Sequence, residues 1–290
     1  VVRYGVVRVS EMIRSARETT QAEAGNQITL GCVWHMADSG LVPAIVIAAI
    51  RIRHRPLLDK LLWNTISILG CLGIVGIISF ANSKTFTTAI RQHKDIVKSF
   101  NPLSPMMAAV QYFTQAGQEA EIQVSPIGRD AKVLPAAGGV HKPRITVIVA
   151  GETARAANFS LNGYGRDTNP ELAKRDVIYF PNTTSCGTAT AMSIPCMFSK
   201  FPRSQYSHSK ALANENVMDV LVHAGVSATW LDNNTGSKNV ADRIPYFDLP
   251  STNDSRFCTG GECRDDIFFD KLDAWLNNVT KDSVIVLHQM

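Results

Sequence analysis

The sequence predicts an α/β protein with a mainly parallel sheet, anchored in a membrane by two helices. An apolar run over 61–81 contains no charged residue. After residue 144, three short apolar strand-like runs alternate with amphipathic helical stretches, the pattern of a parallel sheet with helices packed on it. Four of the six cysteines fall in that same C-terminal portion, as expected for a part of the chain that lies outside the reducing cytoplasm.

The first candidate span covers 28–50, where His35 and Asp38 interrupt the apolar run. The second, "LLWNTISILGCLGIVGIISFA" over 61–81, is roughly 31 Å long at about 1.5 Å rise per residue, which matches a bilayer core. Arg51, Arg53, Arg55 and Lys60 lie between them, so this loop is predicted to be cytoplasmic and the rest of the chain after the second span to lie on the other side. Cys32 and Cys71 sit inside the spans, where a thiol behaves as a small apolar group. Residues 1–27 are polar and start without Met, and the last residues, "VIVLHQM", break off with no tail. The chain is expected to be part of a longer protein, C-terminally truncated. The net charge of +4 comes from scattered Lys and Arg and gives no nucleic-acid footprint.

This divides the chain into a partial transmembrane region (1–82), a stretch of membrane-surface helices and linker (83–144), and an exported domain (145–290). In the middle stretch Phe86, Ile90, Val97 and Phe100 recur near helical spacing among basic residues, as in a helix lying on a membrane. Met106, Met107, Val110 and Phe113 suggest a second helix over 103–118, and the Pro- and Gly-rich 123–144 reads as a linker.

In the exported domain "ITVIVA" (145–150), "SATWL" (227–231) and "SVIVL" (283–287) are the predicted strands. Helices are predicted at 188–199, at 212–224 ending at Gly225, and at 266–279, where Phe268, Leu272, Trp275, Leu276 and Val279 form one apolar face. Of three possible cysteine pairings, the short spacings favour Cys186 with Cys196 and Cys258 with Cys263; a metal site is the competing use of these thiols.

Ligands of open parallel sheets bind beyond the carboxyl ends of the strands. Here the first strand runs into Glu152, the second into Asp232-Asn233-Asn234 and the third into His288, so a carboxylate, amides and an imidazole are expected along one edge. "SCGTATAMSIPCMF" (185–198) adds a glycine turn and small hydroxyl residues opening a helix. Free backbone N–H groups and the positive helix end favour a phosphate there. A threonine hydroxyl becomes a nucleophile when its proton is drawn off, as a metal can do. Spacing alone does not choose between Thr188 and Thr190.

Together these residues closely resemble the lipid A phosphoethanolamine transferases, the family that includes the mobilised colistin-resistance enzymes. The matching stretches are "VIVAGETARAANFSLNGYGRDTNPELAKRDVIYFPNTTSCGTATAMSIPCMFS", "DNNTGSK", "GECRDD" and "VIVLHQM", and the match covers roughly residues 10–290. The resemblance implies a domain of the alkaline-phosphatase and sulfatase type, facing the periplasm and anchored in the bacterial inner membrane. It implies zinc as cofactor, with Glu152 and Thr190 as ligands, Thr190 as nucleophile, and Asn234 and Lys238 as substrate-binding residues. Phosphatidylethanolamine would be the donor and lipid A the acceptor, through a phosphoethanolamine-threonine intermediate, and the product would weaken polymyxin binding. The family's remaining zinc ligands, an Asp-His pair and a further His, lie in a region beyond the last residue of this chain. His288 matches no substrate histidine of the family, and Arg155 reads as structural. Two other readings stand beside this one. Another phospho-group transferase of the same fold is possible on the same residues, whereas a sulfatase would need Cys-x-Pro-x-Arg where Cys186 is followed by Gly-Thr-Ala. The other is a non-catalytic membrane-anchored protein that keeps the fold.

Overall fold

The computed structural model describes residues 28–50, 56–83, 103–119, 122–134 and 142–290, with a few isolated positions before residue 26. The predicted surface helix at 86–100 and the basic loop at 51–55 lie outside the described residues. The chain forms two compact units, one built mainly from Glu23–Tyr112 and the other mainly from Phe113–Met290.

In the first unit, α1 (Leu30–Ala49) and α2 (Leu57–Ala81) are each long and apolar enough to cross a membrane. Their Leu, Ile and Val side chains are exposed along the whole length. Such a surface is unfavourable in water but suits lipid. Within α1, Ala37–Leu41 widens to a π-helical turn immediately before Pro43. Proline has no N–H to give the carbonyl four residues earlier and its ring crowds that carbonyl, so the helix accommodates it by loosening one turn. The helix α3 (Leu103–Glu119) follows where the methionine spacing predicts one.

The second unit is built on a four-stranded, all-parallel sheet in the order β1-β6-β2-β3. Its strands are β1 (Ile145–Ala150), β2 (Ser227–Asp232), β3 (Tyr246–Asp248) and β6 (Ser283–His288). Arg144 starts β1 by clamping Asp282, with its N–H on one carboxylate oxygen and its guanidinium on the other. The side-chain period of two divides β2 and β6 cleanly. Ala228, Trp230, Val284 and Val286 face α4 (Thr190–Phe198) and α6 (Val217–His223) through Ile194, Phe198 and Met218. Leu231, Ile285 and Leu287 face the opposite way, onto Ile267 and α7 (Phe268–Leu276). Both faces of these inner strands are therefore covered, which explains their continuous apolar sequences.

Three details differ from the sequence expectations. β3 is too short, and too exposed on its three residues, to show an apolar run. The helix predicted over 212–224 starts only at Val217, because Asn216 and Asp219 form a reciprocal capping box; a separate short helix α5 (His208–Leu212) precedes it. Gly225 stops α6 with a positive φ of 85°, a conformation that costs glycine little. Part of the predicted linker is docked onto the domain: Ser125 pairs with the 213–215 segment, and the Ile127 N–H donates to Glu215.

Candidate active site

The strand register brings Ala150, His288 and Asp232 side by side at the carboxyl edge of the sheet. The chain leaves β1 through Gly151 and places Glu152 just beyond that edge. It leaves β2 through "DNNTGSKN" (232–239), a loop in which Gly236, Lys238 and Asn239 all have positive φ.

The third contributor is α4. Its first residue is Thr190, with Ala189 at the cap, and Ala189 has no side chain that could satisfy the free N–H groups of the first turn. The Met192 N–H turns back onto the Ala189 carbonyl, and the N–H groups of Thr190 and Ala191 ahead of it face where an anion would bind. Gly187 is required in the preceding turn, since a Cβ there would lie 2.8 Å from Met192 Cγ. The Cys186–Cys196 disulfide ties this turn to the far end of α4, holding Thr190 between two fixed points.

Thr190 Oγ1 donates to Glu152 Oε2 at 3.0 Å across 38 residues of sequence. Asn234 Nδ2 donates to Gln289 O at 2.7 Å and reaches the same Glu152 oxygen at 3.4 Å. Carboxylate, hydroxyl and amide thus meet at one point. Thr188 is exposed in the preceding turn, so tertiary structure separates the two threonines that spacing could not. The Lys238 ammonium donates to the Thr235 carbonyl at 2.8 Å, which holds it against its own loop. The far side of that loop is anchored on α6: Asn216 donates to the Val240 carbonyl, and Arg243 grips Asp219 with two 2.7 Å bonds.

His288 departs from the expectation of an imidazole on the open edge. Its side chain is 1% exposed and turned into the sheet face beside Trp230, with ring centroids 5.7 Å apart. Its Nδ1 donates to Asp232 Oδ2 at 3.0 Å, since a carboxylate can only accept. Sequence reasoning places Asp232 at this edge but gives it no role. Its Oδ2 also accepts from Trp230 Nε1 at 2.8 Å, and its Oδ1 accepts from the N–H groups of Asn234 and Gly236. Burial alone would raise its pKa. The bonds from His288, Trp230 and Asn234 outweigh that and hold the carboxyl below its ordinary value. The signal was in the sequence: an Asp ending a strand, two residues before an Asn, is a common device for bonding the backbone ahead of it.

Behind the edge, Cys258 and Cys263 are bonded across the β4 (Cys258–Thr259) and β5 (Glu262–Cys263) hairpin. Its Gly260-Gly261 turn has both φ values positive, as a two-residue hairpin turn demands. Asn233 donates to Cys263 O and to Asp265, and Asp265 also accepts from the Met290 N–H, so the hairpin is fixed to the ends of β2 and β6.

The donor types at Glu152 and Thr190, a carboxylate and a hydroxyl oxygen 3.0 Å apart, are compatible with one shared zinc ion. Among the described residues no group of three or more His, Cys, Asp or Glu side chains converges on such a point.

Residues 144–290 match the sulfatase family, and residues 1–116 match the phosphoethanolamine transferase EptA/EptB family. Phosphoethanolamine transferase EptA of Escherichia coli K12 is 36% identical over 99% of this chain and 53% of its own length. Phosphatidylethanolamine transferase Mcr-1 of Escherichia coli is 35% identical over 99% of the chain and 55% of its own. The chain therefore spans about half the length of the curated relatives it matches. Among solved structures, the integral membrane lipooligosaccharide phosphoethanolamine transferase A from Neisseria meningitidis superimposes with a TM-score of 0.81 at 34% identity, over 99% of this chain and 54% of that one. The soluble domain of the same enzyme gives 0.55 at 43% identity, over 58% and 50%. With its residues 144–290 matching, the chain belongs to the sulfatase family, and over nearly its whole length it is similar to phosphoethanolamine transferases.

Proposed function

We propose that the protein containing this chain transfers phosphoethanolamine from phosphatidylethanolamine to a phosphate of lipid A, with Thr190 as the nucleophile. The observation that carries the reading is the 3.0 Å contact between Thr190 Oγ1 and Glu152 Oε2 at a helix N-terminus. The chain then divides into a membrane region (1–82), a connecting stretch (83–144) and a catalytic domain (145–290) on the periplasmic face of the inner membrane.

Glu152 and Thr190 would hold zinc, which when bound lowers the pKa of a coordinated hydroxyl and withdraws charge from phosphoryl oxygens. The chain's own residues do the rest. Glu152 Oε2 accepts the Thr190 proton and fixes the direction of Oγ1. The open N–H groups of α4 receive the phosphoryl oxygens, where charge accumulates in the transition state. Oγ1 attacks phosphorus, a threonine O–P bond forms, and the P–O bond to glycerol breaks, so that diacylglycerol leaves and takes up a proton. Asn234, held by Gln289 and by Asp232, orients the headgroup; Lys238 neutralises phosphate charge as a point cation. An oxygen of a lipid A phosphate then attacks the phosphothreonine phosphorus, the threonine O–P bond breaks, and Oγ1 takes the proton of the attacking phosphate's P–OH, which regenerates the hydroxyl. The added amine offsets negative charge on lipid A and weakens binding of cationic polymyxins.

The test is Thr190→Ala in the intact protein expressed in Escherichia coli, read by mass spectrometry of lipid A and by polymyxin susceptibility. Modified lipid A should disappear while the protein remains folded in the membrane. Modified lipid A persisting in that variant would overturn the nucleophile assignment.

A further inference from the structure

A cavity of about 490 Å³ adjoins the threonine turn. Its wall is apolar, formed by Phe159, Tyr179, Phe180 and Met197, and Thr184 and Ser193 add hydroxyls to it. The volume falls within the range of small-molecule sites, which combine an apolar lining with a few polar groups. Its position follows from the chain. Ala154, two residues after Glu152, contributes to the wall. Ser193 lies one helical turn beyond Thr190, which places their Cβ atoms on the order of 5–6 Å apart. The cavity therefore starts about one helical turn from Thr190, within reach of one arm of a phosphate diester held at Oγ1.

Two of the apolar lining side chains are also open to the outside: Phe180 is 70% exposed and Met197 60%. Such a cluster beside a cleft marks a surface that meets an apolar ligand. Thr184 accepts from Arg203 at 3.4 Å, which leaves its own proton to donate outward.

We infer that this cavity binds the glycerol end and first acyl carbons of the phospholipid donor. The inference rests on the transferase reading and deepens it, because a phosphate diester at Thr190 must extend somewhere, and an apolar slot with a hydroxyl donor matches an acyl ester. The water-soluble headgroup would remain on the Asn234 side.

Two experiments test it. Phe180→Ser with Met197→Ser removes two exposed side chains outside the hydrophobic core. In the intact protein this double variant should raise KM for dioleoyl phosphatidylethanolamine at least tenfold and leave its kcat within twofold; unchanged KM, or a fall in kcat alone, would overturn the cavity. The second experiment does not require turnover. A phosphatidylethanolamine with a diazirine near the glycerol end of one chain is irradiated with the wild-type protein in nanodiscs, and adducts are mapped by mass spectrometry. Labels on Tyr179, Phe180 or Met197 are expected whether or not the protein transfers phosphoethanolamine. Transfer with labels confined elsewhere would remove the cavity and leave the transferase, whereas labels at the cavity without any transfer would remove the transferase and leave the cavity.

Discussion

Two carboxylates stand at the same edge of the sheet, one ending β2 and the other just beyond the end of β1, and they are used in opposite ways. Asp232 is fully buried and accepts from Trp230, His288 and the N–H groups of Asn234 and Gly236. A carboxylate has about four acceptor positions, so Asp232 is saturated. Glu152 is partly exposed and receives Thr190 and Asn234 on Oε2, while among the described residues Oε1 accepts no hydrogen bond. The difference teaches where chemistry can happen. A saturated buried acid holds a structure together, and an acid with open acceptor positions next to a hydroxyl can take up a cation or a proton.

The largest expected effect lies on the open side. Glu152→Ala should lower transfer at least 100-fold, on the scale of losing a group that acts in the transition state, while the thermal melting point stays within a few degrees. A collapsed melting point would mean that Glu152 is structural and the contrast is false. The saturated side should behave the other way round. Asp232→Ala strands two side-chain donors and two backbone N–H groups in the interior and should cost about 3–5 kcal/mol in urea unfolding. A cost below about 1 kcal/mol would show that these bonds contribute little.

Opening the Cys186–Cys196 pair by a double Cys→Ala change should cost about 2–3 kcal/mol, through the freedom returned to a short unfolded loop. It should also lower kcat, because the threonine turn loses one of its two fixed ends; equal kcat would limit the bond to stability.

Acid sharpens the comparison further. The Asp232 carboxyl is lower in the fold than its unfolded value of 3.8. Its contribution is therefore complete above that value and is lost as the pH falls through the lower folded pKa. Unfolding free energy should decline below about pH 4, and Asp232→Asn should decline less steeply, as measured by urea midpoints between pH 3 and 6. Parallel slopes would assign acid sensitivity to other groups. The smallest effect is expected from Trp275→Phe, which removes the indole bond to Thr229 at 3.1 Å on the far face of the sheet. About 1 kcal/mol should be lost with transfer unchanged.

Strands 227–231 and 283–287 were readable because both faces are buried and the runs are mainly apolar, a strong local signal; 145–150 carries the same kind of run although all of its residues but Ile148 and Ala150 are exposed. β3 was not readable, since three half-exposed residues carry no periodicity and form a strand only because β2 offers its edge. The start of α6 lay in Asn216 and Asp219, whose reciprocal capping was visible three residues apart but was overridden by the apolar run around it. At the site, residue types and strand ends were legible, but the direction of each side chain was not. His288 and Glu152 both follow apolar strands, yet one turns into the core and the other stands clear of it.

The sequence by itself determined the membrane-spanning lengths, the alternation of strand and helix, the short cysteine loops and the family motifs, because each of these is a pattern among neighbouring residues. Only the tertiary structure decided that Thr190 rather than Thr188 meets Glu152, that Asn234 joins them, and that Asp232 is occupied by His288. Those contacts join residues 38, 82 and 56 positions apart. They exist because the parallel register aligns the ends of β1, β6 and β2, and no local propensity encodes that alignment.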